Sequence, residues 1–346
     1  MSSTTTPQTF SDLYTDVLNS VRTNSSEAAA IVIAKRLVNK ALHDVHLVQN
    51  WSWAERSAFI LTHAPYTAGS ISIASTARTT LEGTGTLWNT TVSGMGFTNA
   101  RVGGKLAFGD NDVYVLSSIT SDTAAAISSR YVGSIATATA YALAYGAYTY
   151  YEDEYALASD FFRLVDTRNF STAMPIEVLG RQEFYRRYPR NSTTGKPVTC
   201  TILELGPSAS VDPRPRVIFH PPPDEVYSLP YRYITSNLAV SAAGVAAANL
   251  SSDTDEPIIP LRYRHVLVFY AVAQWYRDRK DDERAGPANQ EYVDLVKRMA
   301  NDSEPQRDHP RFASPRALYH AGVAGPRRWP RRGGYSSGTA WDQLRD

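Results

Sequence analysis

The chain has 346 residues, 35 basic and 34 acidic, for a net charge of +1. So balanced a chain has no global field to draw it to nucleic acid or membrane, and its length allows a real core in about two domains. A single cysteine, Cys200, excludes an internal disulfide framework and a Cys-based zinc site.

Met1–Pro7 has neither a basic start nor an apolar core, so no signal peptide is expected. No run of about 18 apolar residues predicts a membrane span. Sequons at Asn24, Asn89, Asn169, Asn191, Asn249 and Asn301 read as chance in a Ser/Thr-rich chain made in a reducing cytoplasm. The 21 tyrosines suit a surface that is both apolar and wet, as at subunit interfaces.

Thr9-x-x-Asp12 predicts a capping box opening a helix over 9–23. Asn24 to Glu27 opens a second helix with Ile31, Ala34, Leu37, Val38, Ala41, Leu42 and Val45 on one face, and the two should pair as a hairpin. From about 66 to 142 short β signals follow one another, with turns at Gly83-Thr84-Gly85, Gly109-Asp110-Asn111 and Ser121-Asp122. They predict an inserted small β-barrel or sandwich, separable enough to be cut out.

Tyr145 to Tyr151 reads as one strand, and Tyr155 to Val165 as extended chain and a turn. A short helix ends in Arg186-Arg187, and 198–203, 216–220 and 227–235 are strands. Leu261 to Arg284 predicts the strongest helix, broken by Gly286-Pro287 before a last helix over 288–301. Helices at both ends thus flank β structure.

Tests for chemistry return little. His43 and His46 have metal-ligand spacing but no third ligand, so they read as helix surface. Glu152-Asp153-Glu154 reads as a solvated loop, and Cys200 as a packed residue. No phosphate loop, nucleophile elbow or zinc-protease motif is present. Arg277, Asp278, Lys280, Asp281, Asp282, Glu283 and Arg284 form a wet charged helix end, a candidate for pairing between subunits. No metal, cofactor or catalytic residue is expected.

The last forty residues differ from the rest. Arg307, Arg311, Arg316, Arg327, Arg328, Arg331 and Arg332 face one acid, Asp308, between Pro305 and Ala340, which leaves the remaining chain net acidic. Prolines and Gly333-Gly334 forbid regular structure, while Phe312, Tyr319, Trp329 and Trp341 offer anchors. The pattern predicts an extended basic arm that docks on a partner through Phe312, Tyr319, Arg327, Arg328, Trp329, Arg331, Arg332 and Trp341.

Tyr155-Ala-Leu-Ala-Ser-Asp160-Phe-Phe-Arg163 resembles the Y-x-L-P-x-D-F-x-R stretch of tailed-bacteriophage neck proteins, with Ala158 where proline is usual. Pro221-Pro-Pro-Asp-Glu-Val-Tyr-Ser-Leu-Pro-Tyr231-Arg-Tyr, then Asp255-Glu-Pro257-Ile-Ile-Pro260 and the long helix ending Trp275 to Arg284, are similar to the same group. Gly83-Thr-Gly85 with Trp88, and Gly104-Lys-Leu-Ala-Phe-Gly109, resemble a small β-domain of phage structural proteins.

The resemblance implies a head-to-tail adaptor: an α+β subunit with a helical-bundle body (1–65 and 143–304), an inserted β-domain (66–142) and an extended C-terminal arm (305–346). Such subunits form a ring, typically twelvefold, below the portal of the virion. Implied partners are other copies, the portal protein, a tail or tail-tube protein, tail fibres, and double-stranded DNA passing without tight contacts. A tail-tube or baseplate component, and a carbohydrate-binding or cell-wall-degrading tail protein, are the alternatives.

Overall fold

A computed structural model describes residues 8–24, 26–108, 112–133, 141–169, 174–203 and 214–303. The turn expected at 109–111 and the arm at 305–346 lie outside the described residues. The described residues up to Ala300 form one compact unit; of a second, beginning at Asn301, the described residues finish the last helix.

The expected capping box is present: α1 (Phe10–Ser20) starts with Thr9 and Asp12 each accepting the other's backbone N–H. It ends with Arg22 in the left-handed region (φ 55°), where Thr23 N–H reaches Leu18 O and Arg22 N–H reaches Asn19 O. That closure satisfies carbonyls the helix would otherwise leave open. The second helix, α2 (Ala28–Val48), follows with no side-chain cap; Asn24 instead ties Ser26 in the connecting turn. Then β1 (Glu55–Leu61) begins the β structure.

The next strands are β2 (Ser70–Ala74), β3 (Thr80–Thr84), β4 (Lys105–Ala107), β5 (Val113–Ile119), β6 (Ala124–Ile127), β7 (Tyr141–Gly146) and β8 (Thr149–Tyr151). They form one seven-stranded antiparallel sheet, ordered β7-β2-β3-β6-β5-β4-β8. Its outermost strands, β7 and β8, are consecutive in the chain with only Ala147 and Tyr148 between them. The sheet therefore curls into an open barrel. The run expected as one strand is split there. Trp88 is buried inside, donating to Tyr148 Oη at 2.9 Å, and Tyr148 donates to Ala68 O at 2.7 Å. At Gly104 a Cβ would stand 2.3 Å from the Tyr150 ring, so only glycine lets that ring into the core.

Beyond the barrel come β9 (Glu154–Ala156), β10 (Phe161–Asn169), β11 (Met174–Pro175), β12 (Glu177–Val178), α3 (Arg181–Arg187), β13 (Thr199–Leu203), β14 (Arg216–His220) and β15 (Ser228–Thr235). Two four-stranded sheets result, β1-β15-β10-β11 and β12-β13-β14-β9. Ile60, Phe161, Leu229, Tyr231 and Tyr233 of the first share one core with Tyr155, Cys200, Val217 and Phe219 of the second, so the pair is a sandwich.

Last are the short strands β16 (Ala239–Val240), β17 (Ala246–Ala247) and β18 (Glu256–Pro257), then α4 (His265–Asp278) and α5 (Asp282–Ser303). The helices α1, α2, α4 and α5 bury one apolar core, with Val17, Leu37, Leu42, Leu267, Val296 and Met299 among it.

The body is therefore not a helical bundle, and that expectation is corrected. It is mostly β: a barrel and a sandwich, with helices as one layer. The error lies in Tyr155 to Val165, read as extended chain and a turn. Phe161 to Asn169 is a nine-residue strand that pairs along β15, its register absorbing two irregularities.

The helix break is also corrected. It falls at Arg279–Asp281, where Lys280 is left-handed (φ 58°), Asp281 N–H reaches Tyr276 O, and Lys280 N–H reaches Arg277 O. Asp281 Oδ1 then accepts from Arg284 N–H, capping the next helix at once. Pro287 lies inside α5, close enough to its start that the helix continues at the loss of one hydrogen bond.

The tyrosines are largely not surface. Tyr114, Tyr131, Tyr148, Tyr150, Tyr151, Tyr155, Tyr227, Tyr231, Tyr233 and Tyr270 are buried. Apart from Tyr270, which packs in the helical core, their rings lie in β structure while most hydroxyls find partners inside, such as Asp224 for Tyr227 and Asp160 for Tyr233.

Candidate functional site

Glu152-Asp153-Glu154 is not a solvated loop. Glu152 and Asp153 are 5% and 2% exposed, held between the barrel and the sandwich. Each acid has its own cation. Arg101 forks onto Glu152, with Nε to Oε1 at 2.9 Å and Nη2 on Oε2. Lys105 Nζ lies 2.5 Å from Asp153 Oδ2, and Arg216 Nη1 lies 3.2 Å from Glu154 Oε1.

Asn191 completes the seam: its Nδ2 donates to Asp153 Oδ2 at 3.1 Å and Phe219 O at 2.7 Å, and its Oδ1 sits 2.7 Å from His220 Nδ1. Tyr150 donates to Glu152, and burial followed by that carboxylate raises the phenol well above its ordinary range. Burial pulls the Arg101 guanidinium down, but Glu152 more than offsets it and the net shift is upward. Buried charges held in such pairs fix geometry.

The chain's exposed charge lies elsewhere. Phe184 of α3 is buried against Leu179 and Ile218, so the helix is anchored. Tyr188, just after it, stacks on His220 with centroids 3.5 Å apart. From this base Arg181, Arg186, Arg190 and Lys196 stand exposed, with the half-exposed Tyr185 ring among them. The one acid of that segment, Glu183, is taken by Arg187 at 2.6 Å. Arg181 also lines an open cleft of about 440 Å³ with Phe161, Phe162, Arg163, Leu164 and Ile202. The sequence marks Arg186-Arg187 at the helix end; counting charge over 181–196 adds Arg181, Arg190 and Lys196.

The candidate subunit-interface residues form the corner between α4 and α5. Arg277, Asp278, Lys280, Asp282, Glu283 and Arg284 are exposed and Asp281 is half-buried. Arg277 bonds Asn289 Oδ1 at 3.0 Å, and Arg284 lies 3.5 Å from Asp281. Beside them the Arg279 guanidinium lies over the Trp275 ring at 4.6 Å. The partner-binding candidates Phe312, Tyr319, Arg327, Arg328, Trp329, Arg331, Arg332 and Trp341 lie outside the described residues.

His43 and His46 are not equivalent. His43 is on the surface, 2.6 Å from Asn249 Oδ1. His46 is buried against the Phe162 ring, which corrects its reading as helix surface, and burial lowers its pKa. No group of three or more possible metal ligands occurs among the described residues. Cys200 lies in the sandwich core, where burial pushes its thiol up to about 12.

The residues of the phage-neck resemblance hold the fold together. Asp160 Oδ1 and Oδ2 accept from Tyr233 Oη at 2.8 Å and Thr235 Oγ1 at 2.6 Å. Ala158 N–H donates to Tyr231 Oη at 2.9 Å, a bond that proline could not make there. Tyr155 Oη accepts from His63 N–H at 3.1 Å. Asp255 Oδ2 accepts from Ser251 and Ser252 N–H, both at 2.7 Å, shaping the loop that leads to α4. No protein-family model matches the chain, and no curated protein matches it.

Proposed function

We propose that this chain is a structural subunit of a tailed-phage virion: a head-to-tail adaptor that forms a ring below the portal and leaves a passage for DNA. The supporting observation is where the resembling residues fall. Asp160, Phe161, Tyr231 and Tyr233 come from two distant segments yet meet in one corner of the sandwich, through ring contacts and the Asp160 carboxylate. Residues that agree with a family and also determine a packed body argue for a shared body more strongly than a similar composition would. In this reading the chain carries no catalysis, partners the portal and a tail protein, and docks through its C-terminal arm.

Electron microscopy of the purified chain mixed with portal protein tests the reading. Closed rings stacked on the portal are expected, and Trp329→Ala should weaken stacking more than Arg331→Ala, because a buried aromatic anchor outweighs an exposed ion pair. A chain that stays off the portal, sits at the distal tail tip and binds glycans would replace this reading with the sugar-binding one.

A further inference from the structure

The open cleft of about 440 Å³ runs along an unfinished edge of the sandwich. On one side β10 has β15; on the other it meets β11 only at Arg168 and Asn169, with Thr167 O accepting from Ile176 N–H just before them. From Phe161 to Asp166 that second edge meets no strand among the described residues. Side chains of a strand alternate between faces, so a cleft over one face is lined by every second residue. This cleft is lined by Phe161, Phe162, Arg163 and Leu164 in succession. The irregularity at Phe162, which has no partner in β15, can turn one neighbouring pair to the same face but not all four. A cleft lying along the edge sees every residue. Arg181 of α3 and Ile202 of β13 line it as well. Arg163 gives one N–H to Asn50 Oδ1 at 3.1 Å and lies over the Phe162 ring at 5.4 Å. Neither it nor Arg181 meets a carboxylate among the described residues.

We propose that this cleft receives an extended acidic segment of a protein partner as a further strand beside β10. The open edge supplies backbone N–H and C=O groups for pairing, and alternate side chains of the incoming segment supply selection. The described lining carries guanidinium groups as its charge and is otherwise Phe, Leu and Ile. The segment that fits therefore alternates carboxylates with apolar side chains. A small carboxylate would use the guanidinium groups and leave the strand edge unpaired. The site is the same whether or not the chain is an adaptor.

Fluorescence anisotropy of the full chain with a labelled Glu-Val-Asp-Leu-Glu-Val peptide tests it, alongside two forms of that peptide N-methylated at one or the other set of alternate residues. Saturable binding is expected, about tenfold weaker in R163Q/R181Q, the scale of two exposed ion pairs. One N-methylated form should bind like the parent and the other should not bind, because only alternate N–H groups of a strand face its neighbour. Amide hydrogen exchange over 161–166 should slow when the peptide is bound. Absence of binding overturns the proposal and leaves the arginines as guards of an edge. Equal binding of the two N-methylated forms overturns it, as does unweakened binding by R163Q/R181Q. Should that variant lose its melting transition, the N-methylated pair and the exchange rates decide on the unaltered chain. Benzoate bound as tightly as the peptide overturns it in favour of a small-carboxylate site.

Discussion

Glu152-Asp153-Glu154 and Asp281-Asp282-Glu283 are each three consecutive acids, and the structure treats them oppositely. The first run lies between two β bodies, each carboxylate met by a cation from a distant part of the chain: Arg101, Lys105 and Arg216. The second stands at the corner between α4 and α5, where Asp282 and Glu283 are exposed and Asp281 caps a helix. A charge run is solvated when its counter-charges are local or absent. It is buried when the topology delivers cations to it. Removing one partner from a buried pair leaves a desolvated charge, whereas exposed pairs are worth little.

The hardest break is excision of the barrel. Cutting out 67–149 and bridging Tyr66 to Tyr150 with a Gly-Ser linker removes Arg101 and Lys105, so Glu152 and Asp153 lose their cations. The insert is thus removable only on a condition that its strand pattern does not disclose. Aggregation is expected by size-exclusion chromatography, and Glu152→Gln with Asp153→Asn should restore a soluble remainder. A monodisperse excised protein with both acids intact would show that the seam is unimportant.

Next in size, Lys105→Met in the full chain should cost about 3–5 kcal/mol in urea unfolding, because Asp153, 2% exposed, is left buried without its cation. A loss under about 1 kcal/mol would equate it with a surface pair.

Third, His46 is buried without a counter-ion, and its Nε2 has no hydrogen-bond partner among the described residues. Burial lowers its pKa from 6.5, so the unfolded chain takes the proton first. The contribution is complete above pH 6.5 and is lost as pH falls below it. Its slope approaches about 1.4 kcal/mol per pH unit. His46→Leu should flatten the stability curve there; an unaltered curve would mean that another group titrates. Smallest of all, Asp282→Asn with Glu283→Gln should move stability by no more than about 0.5 kcal/mol in the same unfolding assay.

Local signals were the legible part of the fold. Thr9 and Asp12 announce the first helix, and the short β signals over 66–142 announce strands, because capping, alternation and turn chemistry act over a few residues. Long-range pairing was illegible. Phe161 to Asn169 becomes a strand through β15, more than sixty residues away, and its own sequence does not alternate clearly. The acid seam was hidden for the same reason, its cations lying about fifty residues before it or sixty after. The helix break was misplaced because proline is a conspicuous signal and a left-handed lysine is not: Lys280 takes a conformation usually given to glycine. The excess of exposed basic residues over 181–196 is readable from composition alone.

Tyr66 and Tyr150 exchange both backbone hydrogen bonds, each at 2.8 Å. The chain therefore arrives at the barrel and departs from it at one clamped point. Tension passing along the polypeptide from β1 toward β9 crosses that clamp directly and leaves the strands between slack. To unravel the barrel, a pull must first shear the clamp and the ladder of β8 beside it. The barrel is mechanically a side-loop off the load path, and the sandwich can bear strain along the chain without passing it on.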